Sequence, residues 1–277
     1  MALTDALSDL PDAFYRRDGD AFVATDATRG PWSSAHQHAG PPAALISRCI
    51  ARALPEMRVA RLTFDLAKPI PIGRLRVDVE EVRTGRKAAL RFARLVCEGK
   101  EIATATALLL RTESVVDEAD LRAGDSPGVT AWSPAPPADC EPYVFGFFRD
   151  RVGYHVAMEL RVARGVFGSG AMSVWMRARV PLVEGEALSP LDRVVLASDS
   201  GNGVSVYLDL AEYTFANADL SVHLHALPAG EWVCLDATTI TGRDGIGMAE
   251  SLLFDERGAI GRAVQTLLLE RREPRGG

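Results

Sequence analysis

The chain has 277 residues, 47% hydrophobic and 25% charged, with a formal net charge of −6. These are the proportions of a soluble globular protein of one large or two small domains. The acidic balance, the lack of a Lys/Arg cluster and the absence of any apolar run near the ~18 residues of a membrane span argue against nucleic-acid and membrane partners. The start, "MALTDALSDLPDAF", shows neither the basic n-region nor the apolar h-region of a signal peptide. Four widely spaced cysteines (Cys49, Cys97, Cys140, Cys234) form no C-x-x-C pair. Cys49 and Cys97 sit in apolar surroundings, and a reduced cytoplasmic setting is expected.

The first predicted helix lies in "HAGPPAALISRCIARALPEM". Pro41 and Pro42 suit its first turn, Ile46, Cys49, Ile50 and Ala53 form an apolar stripe, and Pro55 stops it. Period-two patterning follows: Leu62, Phe64 and Leu66 alternate with Arg61, Thr63 and Asp65. From Arg61 to Arg111 the pattern reads as about four antiparallel strands separated by Pro/Gly and Thr84-Gly85-Arg86 turns. Val115 to Tyr143, rich in Pro, Asp and Gly, reads as a linker. In "LSPLDRVVLASDSGNG", Ser189 is a plausible N-cap and Pro190 the first helical residue. Leu191, Val194, Val195 and Ser198 face inward, and Gly201 and Gly203 bracket the end. A second set of strands runs from Asp219 to Arg271, with Leu220, Val222 and Leu224 alternating against Ser221, His223 and His225.

The two halves repeat one another in strand lengths, in turn positions and in a final strand ending Leu-Leu-Leu. Each half is expected to be a helix packed on a curved antiparallel sheet, the halves related by a pseudo-two-fold and joined as one continuous sheet. The division expected is 1–114, a linker 115–142, and 143–277.

Several motifs carry little. Gly124-Asp125-Ser126-Pro127-Gly128 matches G-x-S-x-G but lies in the linker, where no strand-to-helix elbow exists. His223 and His225, like His36 and His38, have a spacing that could serve zinc, but no ligand set completes either, and no metal is expected. "GSGAMS" follows no clear βα context. Asp199 is different. It interrupts an apolar run, and a buried unpaired charge costs several kcal/mol. Aligning Pro42 with Pro190 places it opposite Ala51, so the repeat unit needs no charge there in order to fold. Gln265 likewise interrupts an apolar final strand, opposite Thr106 when Gly99 is aligned with Gly258.

Four stretches, "GPWSSAHQHAGPPAALISR", "SPLDRVVLASDSGNGVS", "FANADLSVHLHALPAGEW" and "GAIGRAVQTLLLER", together resemble the TesB-type acyl-CoA thioesterases, from about Phe22 to Arg271. The resemblance implies an α+β double hotdog fold and hydrolysis of an acyl-CoA, or acyl-carrier, thioester without metal or cofactor. In that family an Asp on the second helix, a Thr before the next strand and a Gln on the last strand hold the hydrolytic water. The Asp matches Asp199 and the Gln matches Gln265. The Thr position falls on Asn217, opposite Val59 of the first copy, and the family's His-Gly-Gly is His38-Ala39-Gly40.

Asp199 is then expected to act as general base, Asn217 and Gln265 to fix the water, and the Gly40 N–H to receive the oxyanion, with His38 and Gly40 lying against substrate. The reading admits a homo-oligomer. Competing readings are a hotdog enoyl-thioester hydratase or dehydratase, for which no Asn-Pro element with a following His exists and His155 is poorly placed, and a non-catalytic acyl-CoA or acyl-carrier binder. Of the two sites that a duplicated fold offers, only the second-copy one carries the polar set.

Overall fold

The protein is described from a computed structural model covering residues 3–66, 68–116 and 132–272. After a short helix α1 (Leu3–Ser8), the first half contributes strands β1 (Tyr15–Asp18) and β2 (Ala21–Ala24), helix α2 (Gly40–Ala53), and strands β3 (Arg58–Asp65), β4 (Arg74–Thr84), β5 (Ala88–Cys97) and β6 (Lys100–Leu110). The second half contributes β7 (Glu141–Tyr143), one turn of helix α3 (Tyr154–Ala157), β8 (Met158–Gly165), β9 (Ala171–Ala178), helices α4 (Pro190–Ser198) and α5 (Gly201–Ser205), and β10 (Tyr213–Asn217) to β14 (Gly258–Arg271). Between those last two lie β11 (Asp219–Leu224), β12 (Val233–Thr241) and β13 (Ile246–Asp255).

Among the described residues these strands form one sheet in the order β1-β2-β4-β5-β6-β3-β11-β14-β13-β12-β9-β8-β7, with β10 also on β14. The order is the same read outward from its centre in either direction, apart from the extra β7. The centre is the antiparallel pair β3–β11, where Thr63 faces Ser221 and Leu62 faces Val222. The halves are thus related by a pseudo-two-fold and share one sheet, as the repeat implied. Each helix is preceded by two strands that the sequence reading did not anticipate, and "GSGAMS" lies in the β8–β9 hairpin, where Gly168 and Gly170 have positive φ. Residues 117–131 of the expected linker, including Gly124–Gly128, lie outside the described residues; its last part carries the turn Pro137–Asp139 and enters β7.

The inner face of the sheet is cut for a helix. On β5 and β6 alternate residues are buried, and those of β6 are Ala103, Ala105, Ala107 and Leu109, small enough to let α2 seat Leu45, Ile46 and Ile50 against them. α2 and α4 also pack on each other. α4 begins with the expected Ser189 cap, closed into a capping box by Asp192, whose carboxylate accepts from Ser189 N at 2.6 Å. Asp192 is fully buried and takes a bidentate pair from Arg48 of α2, which also reaches Glu186 at 2.7 Å.

Register corrects one expected equivalence. A bulge follows Leu95 on β5 and Leu253 on β13, so equivalent strand residues stand 158 apart: Leu95 with Leu253, Leu62 with Leu220, Ala107 with Gln265. The first-copy partner of Gln265 is the buried Ala107 rather than Thr106, because a one-residue slip in a strand moves a side chain to the other face. Asn217 remains opposite Val59, since both stand opposite equivalent residues of the last strands, Leu267 and Leu109.

Candidate active site

α4 stops at Ser198, Asp199 and Ser200 stay in the helical region of the map, and α5 starts at Gly201. The break leaves the Asp199 carbonyl without a helical donor, and a side chain from the sheet supplies one: Gln265 Nε2 donates to Asp199 O at 2.8 Å and to Asp199 Oδ1 at 3.1 Å. Gln265 Oε1 in turn accepts from Asn202 N at 3.0 Å. Gly201 makes this approach possible, because a Cβ there would lie 2.9 Å from Gln265 Oε1. Asn217, at the end of β10, donates from Nδ2 to Asp199 Oδ1 at 2.8 Å. The three residues singled out in the sequence therefore meet at one carboxylate, although they come from a helix end and two neighbouring strands.

The other carboxylate oxygen faces the first half. Asp199 Oδ2 lies 3.1 Å from His38 Nδ1, and the N–H groups of Ala39 and Gly40, at the start of α2, also point at the carboxylate. Gly40 N lies 3.1 Å from His38 Nδ1 as well. Two proton arrangements satisfy this contact. With a proton on Nδ1 the ring donates to ionised Asp199; with Nδ1 bare the ring accepts from Gly40 N–H, and Asp199 carries the proton.

Burial sets the electrostatics. Asp199 is 3% exposed, and desolvation lifts its pKa to about 7 against the opposing pull of its Asn217, Gln265, Gly40 and Ala39 donors. Desolvation also drives His38 down to about 3, so the imidazole stays neutral. The ring is clamped by Tyr154, stacked at 3.8 Å and 5°. Tyr154 Oη donates to Leu196 O at 2.7 Å and lies 2.9 Å from Ser200 Oγ. Nothing in the sequence marked Tyr154, which sits in a one-turn helix with no pattern of its own.

Two expectations about α2 change. Gly40 N–H is directed at His38 and Asp199, so it is not a free oxyanion donor, and Gly40 does not line the cavity. Its glycine is demanded by helix crossing, since a Cβ would stand 2.6 Å from Leu196 O of α4. His38 does line the cavity, and it also binds the carboxylate. His155 stacks on Phe148 at 4.3 Å, while His223 is exposed on the outer face of the sheet. Among the described residues no three His, Cys, Asp or Glu side chains gather as a metal-ligand set.

Above Asp199 opens a cavity of about 300 Å³. Asp199, Asn217, His38, Ser200 and Asn202 line it together with His36, Gln37 and Lys68, and the remaining lining residues are mainly apolar. A carboxylate titrating near neutrality, held in place from both sides and facing a mainly apolar chamber, can take a proton from water beside a bound acyl group.

A single antiparallel sheet folded around two helices, with a buried carboxylate at a cavity between its halves, defines a double hotdog protein. Two family profiles match the chain: "Acyl-CoA thioesterase N-terminal domain" over residues 28–110 and "Acyl-CoA thioesterase C-terminal domain" over residues 129–269. The chain belongs to this acyl-CoA thioesterase family. No curated relative matches the sequence. Among solved structures, the fold is similar to a candidate thioesterase from Novosphingobium aromaticivorans (21% identity, 93% of this chain and 98% of that one, TM-score 0.70). It is also similar to a hot dog fold protein of unknown function from Alicyclobacillus acidocaldarius (17%, 99% of each, TM-score 0.71). A third is acyl-CoA thioesterase II TesB2 from Mycobacterium marinum (16%, 100% and 99%, TM-score 0.65). Among the described residues no helix is long and apolar enough to cross a membrane.

Proposed function

We propose that the chain hydrolyses its acyl-CoA thioester by water attack assisted by Asp199. The observation that carries this reading is a buried carboxylate with a pKa of about 7 lining a mainly apolar cavity. Ionised Asp199 removes a proton from water as the oxygen bonds to the thioester carbonyl carbon; collapse of the tetrahedral intermediate breaks the C–S bond while protonated Asp199 returns the proton to the leaving sulfur, releasing the free acid and the CoA thiol and restoring the ionised base. A base with a pKa near the working pH is mostly ionised yet still basic enough to accept the proton.

Gln265 is a positioning residue, because both ends of its amide are engaged by Asp199 and Asn202. Asn217 holds Asp199 with its Nδ2, and its Oδ1, with no partner among the described residues, is free to accept from the attacking water. His38 keeps the second carboxylate oxygen in place and, lining the cavity, meets substrate. All four cysteines are free thiols, which supports a reducing, cytoplasmic setting.

The test is thiol release from a panel of acyl-CoAs by wild type and Asp199→Asn, with circular dichroism to confirm folding. A loss of about 10²-fold or more is expected. Half the activity surviving in a folded variant would reduce Asp199 to a helix terminus.

A further inference from the structure

One wall of the cavity that holds Asp199 is aromatic. Trp32, Phe145, Phe147, Phe148 and Phe215 all line it, in a chain of which only 7% is aromatic. Phe147 is the hub: its ring lies 6.1 Å from Trp32 at 20°, 5.1 Å from Phe145, 5.3 Å from Phe148 and 5.9 Å from Phe167 at 19°. These rings come from different parts of the chain, a loop of the first half, the segment after β7 and strand β10, so the cluster is not one greasy segment folding on itself. The pseudo-symmetric cavity of the first half is a control for what the fold needs. It is lined by Ala51, Met57, Val59, Leu191 and Leu227 among others, and by no aromatic side chain. The aromatic wall thus accompanies Asp199 and has no counterpart beside Ala51, in a cavity otherwise edged by Arg48, Arg52, Glu56 and Arg58.

Resting on the reading that this cavity receives the acyl group, we infer that the acyl group carries an aromatic ring rather than a linear chain. The rings pack on one another at about 5–6 Å and form a stiff wall, against which a further ring makes edge or face contacts worth more than its buried area alone. A linear acyl group of similar apolar surface gains only the area and loses rotor freedom on entry.

Affinity is measured on the Asp199→Asn protein, in which turnover is suppressed, by calorimetry with phenylacetyl-CoA and hexanoyl-CoA. Phenylacetyl-CoA is expected to bind at least fivefold more tightly, and the same preference is expected in kcat/KM on wild type. Phe147→Leu, with Trp32→Leu as a second variant, should shrink that ratio at least threefold. Equal or tighter binding of hexanoyl-CoA, or a ratio untouched in both folded variants, overturns the inference. The outcome is separable from the general-base reading, which is tested by the turnover of Asp199→Asn and by the pH profile, whichever acyl group binds better.

Discussion

The two cavities of the duplicated fold differ in a way that separates folding from chemistry. Both lie where an α2 or α4 helix end meets the opposite half, and both are walled by the same strands in pseudo-symmetric register. Asp199 and Asn217 line the second-copy cavity, with Gln265 buried behind them on Asp199; the first-copy positions are Ala51 and Val59, which line the first-copy cavity, and the buried Ala107. Ala107 is fully buried and the first half is well packed around it, so the architecture closes without any polar group at these places. The first-copy cavity is bordered by Arg48 and Arg52, committed to Asp192 and Glu186. One end of the helix pair is used to tie the halves together, the other to hold a carboxylate at a raised pKa.

The sharpest way to break this comparison is Asp199→Asn. Beyond the loss of turnover, the change should raise stability at alkaline pH. A carboxyl whose pKa rises on folding binds its proton more tightly in the folded state. Its stabilising contribution is full below about pH 4 and is lost as pH rises through about 7. At pH 8 the wild type carries a buried charge that asparagine relieves, and a gain of about 2–4 kcal/mol in chemical denaturation is expected there, vanishing near pH 4. In the wild type, kcat/KM should climb with pH through a midpoint near 7, following ionisation of the base; a flat profile from pH 5 to 8 would contradict the assignment.

The structural end can be broken on a similar scale. Arg48→Met leaves the fully buried Asp192 without its partner, and truncating one member of a buried pair costs about 3–5 kcal/mol. Urea midpoints measure this, and a loss below about 1 kcal/mol would mean that Asp192 is satisfied by its capping box alone.

Gln265→Leu should act on both levels. It strips donors from Asp199 and an acceptor from Asn202 N, at about 1–3 kcal/mol for each buried group left alone. Losing a donor to the carboxylate should also move the midpoint of the pH–rate profile upward, a shift that a merely structural residue would not produce. The smallest effect is expected for Ala51→Asp: stability within about 1 kcal/mol, since the position is only half-buried, and no added thiol release in an Asp199→Asn background, because Val59 and Ala107 cannot hold the new carboxylate or a water.

Much of the fold was legible in the sequence because its signals are local. Alternation along Leu62–Leu66 and Leu220–Leu224, Pro41 and Pro42 at one helix start and the Ser189 cap at the other depend on near neighbours, and each stands where it was expected. Strands β1 and β2 escaped notice because four-residue strands leave too short a pattern to read. The oddity of Asp199 was legible for a related reason: within a duplicated chain, the first copy displays what the second would contain if it had only to fold.

The sequence by itself thus determined the repeat, the helix-in-sheet unit and the residues Asp199, Asn217 and Gln265. Only the tertiary structure decided what surrounds them. That His38 and its Tyr154 clamp meet Asp199 depends on contacts between residues more than a hundred positions apart, which helix crossing and sheet register set. The face occupied by Ala107 rather than Thr106 hangs on one bulged residue, and the fate of the Gly40 N–H on a crossing close enough to forbid a Cβ. The raised pKa belongs to this second group as well, because desolvation is a property of everything packed around a carboxylate and not of the residues beside it in the chain.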